Sequence, residues 1–209
     1  MQRELQRLAV RDIQRLVPGE IDTIILPIGT VEAHGAAALG TDNLIPESLG
    51  QYLSDKINAL LAPTVNYGIT KSLYGHAGSI TIESDNFARY VLDILKSFSD
   101  NKFRKVIILN GHGGNNSALK DIAQQFFRAY HTKICIIHWW EVCDELTREF
   151  FGEQGGHGAL DETAMMQAID ESLVNKSSYN KDMTYYFHPG INVYPAPGSI
   201  LLYKENEGY

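Results

Sequence analysis

Only two cysteines, Cys135 and Cys143, occur in 209 residues. That rules out a disulfide framework, and Cys135, inside an apolar run, reads as a small core residue. The setting expected is the reducing cytoplasm. No apolar run reaches the roughly 20 residues that a membrane span needs. The opening Met1-Gln-Arg-Glu-Leu-Gln-Arg7 has charges but no apolar stretch of signal-peptide type. Basic residues are outnumbered, 18 against 25, for a net charge of −7, which argues against nucleic acid or an anionic membrane as the main partner. There is no Gly-x-Gly-x-x-Gly and no Gly-Lys-Ser/Thr, so a dinucleotide or P-loop nucleotide domain lacks its motif. Neither internal repeats nor low-complexity linkers appear, and a single domain over 1–209 is expected. The closing Tyr203–Tyr209 reads as a loop, which leaves open whether the domain continues beyond it.

What is present is an alternation of short apolar runs and helical periods. A helix is expected near 5–17, stopped by Pro18-Gly19, then a strand over 21–28. Further helices are expected at 46–61, 86–98, 116–130, 142–151 and 160–173. Further strands are expected at 63–67, 106–109 and 133–138, with an extended stretch at 79–82. Strands alternating with helices predict an α/β fold with a mainly parallel sheet and helices on both faces.

The chemistry is concentrated in three glycine-flanked loops. After the first strand comes Thr30-Val-Glu32-Ala-His34-Gly35, continuing to Gly40-Thr41-Asp42. Glu32 and His34 are two apart, so extended chain points both the same way. The strand Val106–Leu109 runs into Asn110-Gly-His112-Gly-Gly-Asn115, and the carboxyl end of a parallel strand is where ligands bind in open α/β sheets. The third loop, Gly155-Gly-His157-Gly-Ala-Leu-Asp161-Glu162, opens a helix. Taken singly, Asp42 is either a ligand or a turn residue. Glu162 equally suits a first helical turn. His76 is either a substrate contact or an idle loop residue, and Trp139 and Trp140 are either core or pocket wall. Together, imidazole and carboxylate from three loops suit Zn²⁺, Mn²⁺ or Fe²⁺, and such an ion acidifies a water and polarises a carbonyl.

These three motifs, in this order, resemble the creatininase (creatinine amidohydrolase) family. The resemblance implies a three-layer α/β/α sandwich and a site for one or two divalent ions. It implies Glu32, Asp42 and His112 as ligands of one ion, with Asp42 bridging, and His34 as a ligand of the other. His157 is implied as the acid/base, with Glu162 beside it as a second proton carrier or a ligand. Asn115, His76 and Trp140 are expected to contact substrate. Two departures stand out. Creatininase has a Glu at the second residue after its Asn-Gly-His, where this chain has Gly114. The family's usual His-Gly-Pro-His-Leu-Pro is here His34-Gly35-Ala36-Ala37-Ala38-Leu39. The function expected is metal-dependent hydrolysis of a C–N bond in a small amide, lactam or formamide. Hydrolysis of a peptide or an oxidised cyclitol, as in other family members, and a non-catalytic metal-binding scaffold are the alternatives. A small-molecule partner and a homo-oligomer are expected, the Tyr-rich tail (Tyr179, Tyr185, Tyr186, Tyr194, Tyr203) suiting an interface.

Overall fold

The computed structural model describes residues 1–130, 132–186, 188 and 190–203. A four-stranded parallel sheet runs in the order β2 (Leu60–Leu61), β1 (Thr23–Ile28), β3 (Lys105–Asn110), β4 (Lys133–His138). All six residues of β1 are buried, as expected of a parallel strand covered on both faces. Its alternate residues divide between two cores. Ile24, Leu26 and Ile28 join Val106 and Ile108 under α3 (Ser84–Asp100) and α4 (Asn116–Tyr130), through Phe87, Val91, Leu95, Leu119, Ile122 and Phe126. Ile25, with Leu61 and Leu109, packs on the opposite face against Leu49 and Leu53 of α2 (Thr41–Lys56). The architecture is therefore α/β with helices on both faces. No helix among the described residues is long and apolar enough to cross a membrane.

The other helices are α1 (Val10–Leu16), α5 (Trp139–Val142), α6 (Asp144–Phe151) and α7 (Leu160–Ile169), the last packed on α2. A small second sheet pairs β5 (Thr184–Tyr186) with β6 (Ile200–Leu202) in parallel.

Several boundaries differ from expectation, each for a physical reason. The first helix is shorter, because Leu5–Arg7 forms a separate 3-10 turn. The helix expected at 46–61 starts five residues earlier and ends at Lys56, with Pro46 inside it. Pro46 has no N–H to return to the Asp42 carbonyl, so it reads as a helix start while lying in the second turn. The strand expected at 63–67 is instead Leu60–Leu61, with Val65 making only an isolated bridge to Ile28. The helix expected to Leu173 stops at Ile169, where the Asp170 side chain takes the Ser172 N–H and starts a 3-10 turn. Cys135 is exposed rather than core: β4 is an edge strand, so its outer positions lack a covering neighbour. The loop reading of 203–209 lies outside the described residues from 204 onward.

Two glycines dock α2 onto the sheet. A Cβ on Gly29 or on Gly111 would collide with the Asp42 carbonyl, so the ends of β1 and β3 admit the first turn of α2 only as bare backbone. Gly111→Ala is expected to cost about 2 kcal/mol or more in urea unfolding, since the obstacle is backbone; an unchanged midpoint would show that the turn can yield.

Candidate metal centre

The carboxyl ends of β1 and β3, the first turn of α2 and the start of α7 converge on one point. Glu32, His34, Asp42, His112 and Glu162 are all buried there, with His157 slightly more exposed. The histidines share one construction. His34 Nδ1–H donates to the Glu32 carbonyl at 3.0 Å, His112 Nε2–H to the Ile69 carbonyl at 2.9 Å, and His157 Nε2–H to the Ala33 carbonyl at 2.8 Å. A carbonyl can only accept, so the hydrogen of each neutral ring is fixed on that far nitrogen. The near nitrogens then turn lone pairs toward carboxylates. His34 Nε2 is 2.9 Å from Asp42 Oδ1 and 3.6 Å from Glu162 Oε2. His112 Nδ1 is 2.9 Å from Asp42 Oδ2 and 3.2 Å from Glu32 Oε1. His157 Nδ1 is 3.4 Å from Glu32 Oε1.

Lone pair against carboxylate is repulsive unless a cation lies between. Glu32 Oε2 is moreover buried without a hydrogen-bond partner, and Asp42 Oδ2 has one only when His112 Nδ1 carries a proton, a costly state for a charged oxygen. Two sets of ligand atoms, Glu32–Asp42–His112 and His34–Asp42–Glu162, each lie within 4.8 Å and share Asp42. A third, Glu32–His34–His157, overlaps them. The donor set fits a borderline divalent ion.

Without an ion, protons take its place. Burial alone would lower His34, but Asp42 and Glu162 raise it to about 10. Burial likewise opposes the charge on His112, yet Glu32 and Asp42 raise it well above the usual imidazole range. Burial, helped by His34, holds His157 down to about 4. Burial pushes Glu162 up to about 8 against the pull of His34. His34, His112 and Glu162 thus hold protons at neutral pH that an ion must displace. Binding is expected to release protons and to tighten as pH rises. Calorimetry in buffers of different ionisation heat reads this directly; a heat that ignores the buffer would contradict it.

Glu32, Asp42, His112, His157 and Glu162 line a cavity of about 460 Å³, with His34 buried behind them. Trp140 also lines it. His76 and Asn115 do not. His76 Nε2–H is bonded to the Ala196 carbonyl at 2.8 Å, holding the segment before β6. Asn115 is fully buried, bridging Ile69 N–H and the Gly29 carbonyl. Both side chains therefore join segments of chain to one another. Lining residues not foreseen as site residues include Asp161, Glu141, Leu201 and Tyr203. Asp161 adjoins Glu162 in the third motif, which was a usable signal. The tail gave none: Leu201 reaches the cavity by pairing with the His157 carbonyl.

Fold and cluster define a metal-binding α/β protein with its centre at the carboxyl edge of a parallel sheet. The chain belongs to the creatininase family: the family model described as creatinine amidohydrolase matches residues 6–201. It is 25% identical to the creatinine amidohydrolase of Pseudomonas putida, over 87% of this chain and 79% of that one. It is 29% identical to a mycofactocin precursor peptide peptidase of Mycobacterium ulcerans, over 76% of this chain and 62% of that one. A solved creatininase variant of Zn–Zn type superposes with a TM-score of 0.82 at 21% identity, covering 94% of this chain and 84% of the other.

Proposed function

We propose that this protein is a dinuclear metal-dependent hydrolase of the C–N bond in a small non-peptide amide, lactam or formamide. The observation that carries the reading is the set of three imidazoles, each anchored by a carbonyl on its far nitrogen, whose near nitrogens face three buried carboxyl groups beside a cavity. Glu32, Asp42 and His112 would hold one ion, and His34, Asp42 and Glu162 the other, Asp42 bridging. Zinc, manganese and iron all suit these donors, and the Zn–Zn relative supports zinc and a count of two. Such ions, when bound, acidify a water and polarise the substrate carbonyl. Proton transfer to the leaving nitrogen falls to His157, whose Nε2–H is anchored on Ala33 and whose Nδ1 is left to receive and return a proton. Glu162 is then a ligand rather than a proton carrier.

The cavity wall also bears on the substrate. Among the described residues no Lys or Arg lines it, whereas Glu141, Asp144 and Asp161 do. Arg148 already pairs with Asp144 at 2.8 Å, and burial raises the Asp161 carboxyl. A neutral or cationic amide is favoured over one bearing a carboxylate. A homo-oligomer in the cytoplasm is part of the reading. Val142, Leu146 and Phe150, exposed at successive four-residue steps along α5 and α6, support the oligomer.

The test is hydrolysis by the zinc- or manganese-loaded protein of a panel of lactams and N-formyl amines beside dipeptides, followed by mass spectrometry. A neutral or cationic lactam or formamide is expected to turn over, with its carboxylate analogue at least about tenfold poorer in kcat/KM. His157→Asn is expected to lower kcat on the order of a hundredfold with metal retained. Turnover confined to peptides would reassign the chain as a peptidase; stoichiometric metal with no turnover at all would leave a scaffold.

A further inference from the structure

The ends of β3 and β4 meet at Asn110 and His138, which are direct partners in the parallel register. Asn110 is fully buried. Its Oδ1 accepts the His112 main-chain N–H at 3.3 Å, and its Nδ2 donates to the His112 carbonyl at 2.8 Å. The same Nδ2 lies 2.8 Å from Asn116 Oδ1 and 3.0 Å from His138 Nδ1. The two hydrogens of Nδ2 serve three acceptors, the contact to His138 Nδ1 being the longest and therefore shared, and an obligatory donor faces Oδ1; together these fix the orientation of the carboxamide. One side chain therefore closes on both main-chain polar groups of His112, whose backbone is extended at φ −133°, ψ 123°.

The second half of the network leads to the cavity wall. His138 accepts through Nδ1, so its neutral ring carries its hydrogen on Nε2. That ring lies 5.4 Å from the ring of Trp140, centroid to centroid, and Trp140 lines the cavity. The ring of His112 is itself held at Nε2 by Ile69, so its aim depends on where its backbone is placed.

We infer that Asn110 is a positioning residue that serves both halves of the site: it holds the His112 backbone so that the imidazole faces the metal position, and through His138 it holds the Trp140 wall. The inference rests on the metal-centre reading above but not on the identity of the substrate. No other side chain of this size does the same. Asp would set acceptors against the His112 carbonyl, Asn116 Oδ1 and His138 Nδ1, and Leu would leave the His112 main-chain N–H unpaired, the carbonyl keeping its bond from Asn115 N–H. Partners that orient a ligating imidazole typically govern metal affinity by one to two orders of magnitude.

The experiment is titration of metal-free protein with Zn²⁺, read by metal analysis and by tryptophan emission, on wild type and the variants N110D, H138F and W140F. N110D is expected to bind zinc about tenfold more weakly with unchanged far-UV circular dichroism. H138F is expected to keep zinc affinity within about twofold while losing a zinc-induced emission change that wild type has and W140F lacks. An N110D protein of wild-type affinity, or an H138F protein with the wild-type emission response, would overturn the inference alone. Should N110D fail to fold, the H138F response still decides it. Wild type that binds no divalent ion would overturn the metal-centre reading and this inference with it.

Discussion

Replacing Asp42 with asparagine is expected to strip the protein of stoichiometric metal and to abolish turnover. Asp42 is the residue shared by the two sets proposed to hold the ions, Glu32–Asp42–His112 and His34–Asp42–Glu162, with Oδ1 toward His34 and Oδ2 toward His112. Without it each set falls to two donors and loses its bridge. Asparagine keeps the shape of the side chain, so the first turn of α2 stays docked on Gly29 and Gly111. The loss can then be read as lost coordination rather than misfolding. In rate the change is expected to reach at least about a thousandfold, on the order of 4 kcal/mol of transition-state stabilisation. Metal analysis of purified Asp42→Asn beside wild type is the check. A variant that still holds two ions per chain and turns over would sink the proposed site.

Glu162→Gln is expected to take the metal content from two ions per chain to one, leaving the ion at Glu32, Asp42 and His112. The reason lies at Gly114. A Cβ there would run into the Ile69 carbonyl and the His112 ring, so this backbone cannot accept the Glu that creatininase carries at that position. Glu162 Oε2 instead lies 3.6 Å from His34 Nε2 and takes the Gly158 N–H at 2.6 Å, a carboxylate arriving from α7 rather than from the loop after β3. Metal counting on wild type and Glu162→Gln separates the cases: one ion in both would mean a mononuclear enzyme, and two in both would remove Glu162 from the ligand set.

Much of this was legible in the chain. The strands expected at 21–28, 106–109 and 133–138 have apolar centres at Ile24–Leu26, Val106–Leu109 and Ile134–Ile137, the pattern that burial within a parallel sheet favours. The three glycine-flanked His motifs carry their chemistry in residue type and spacing. Where the sequence misled, a local signal was outweighed by packing. Pro46 marks a helix start in isolation, but glycines from two strands hold the turn before it as helix. Cys135 sits in an apolar run, but its strand ends up at the sheet edge. His76 is a polar loop residue like any ligand, and it is taken up by a carbonyl 120 positions away.

The sequence by itself determined the α/β class and the residues available for a metal, because hydrophobic period and donor chemistry are local properties of the chain. Only the tertiary structure decided which nitrogen of each His faces a carboxylate, that Glu162 stands beside His34 while no side chain fits at Gly114, and that Asn110 ties His112 to the Trp140 wall. Those relations depend on Ile69, Ala33 and His138 being carried to within 3 Å of residues remote in sequence. The packing of helices on the sheet sets such contacts, and no local pattern encodes them.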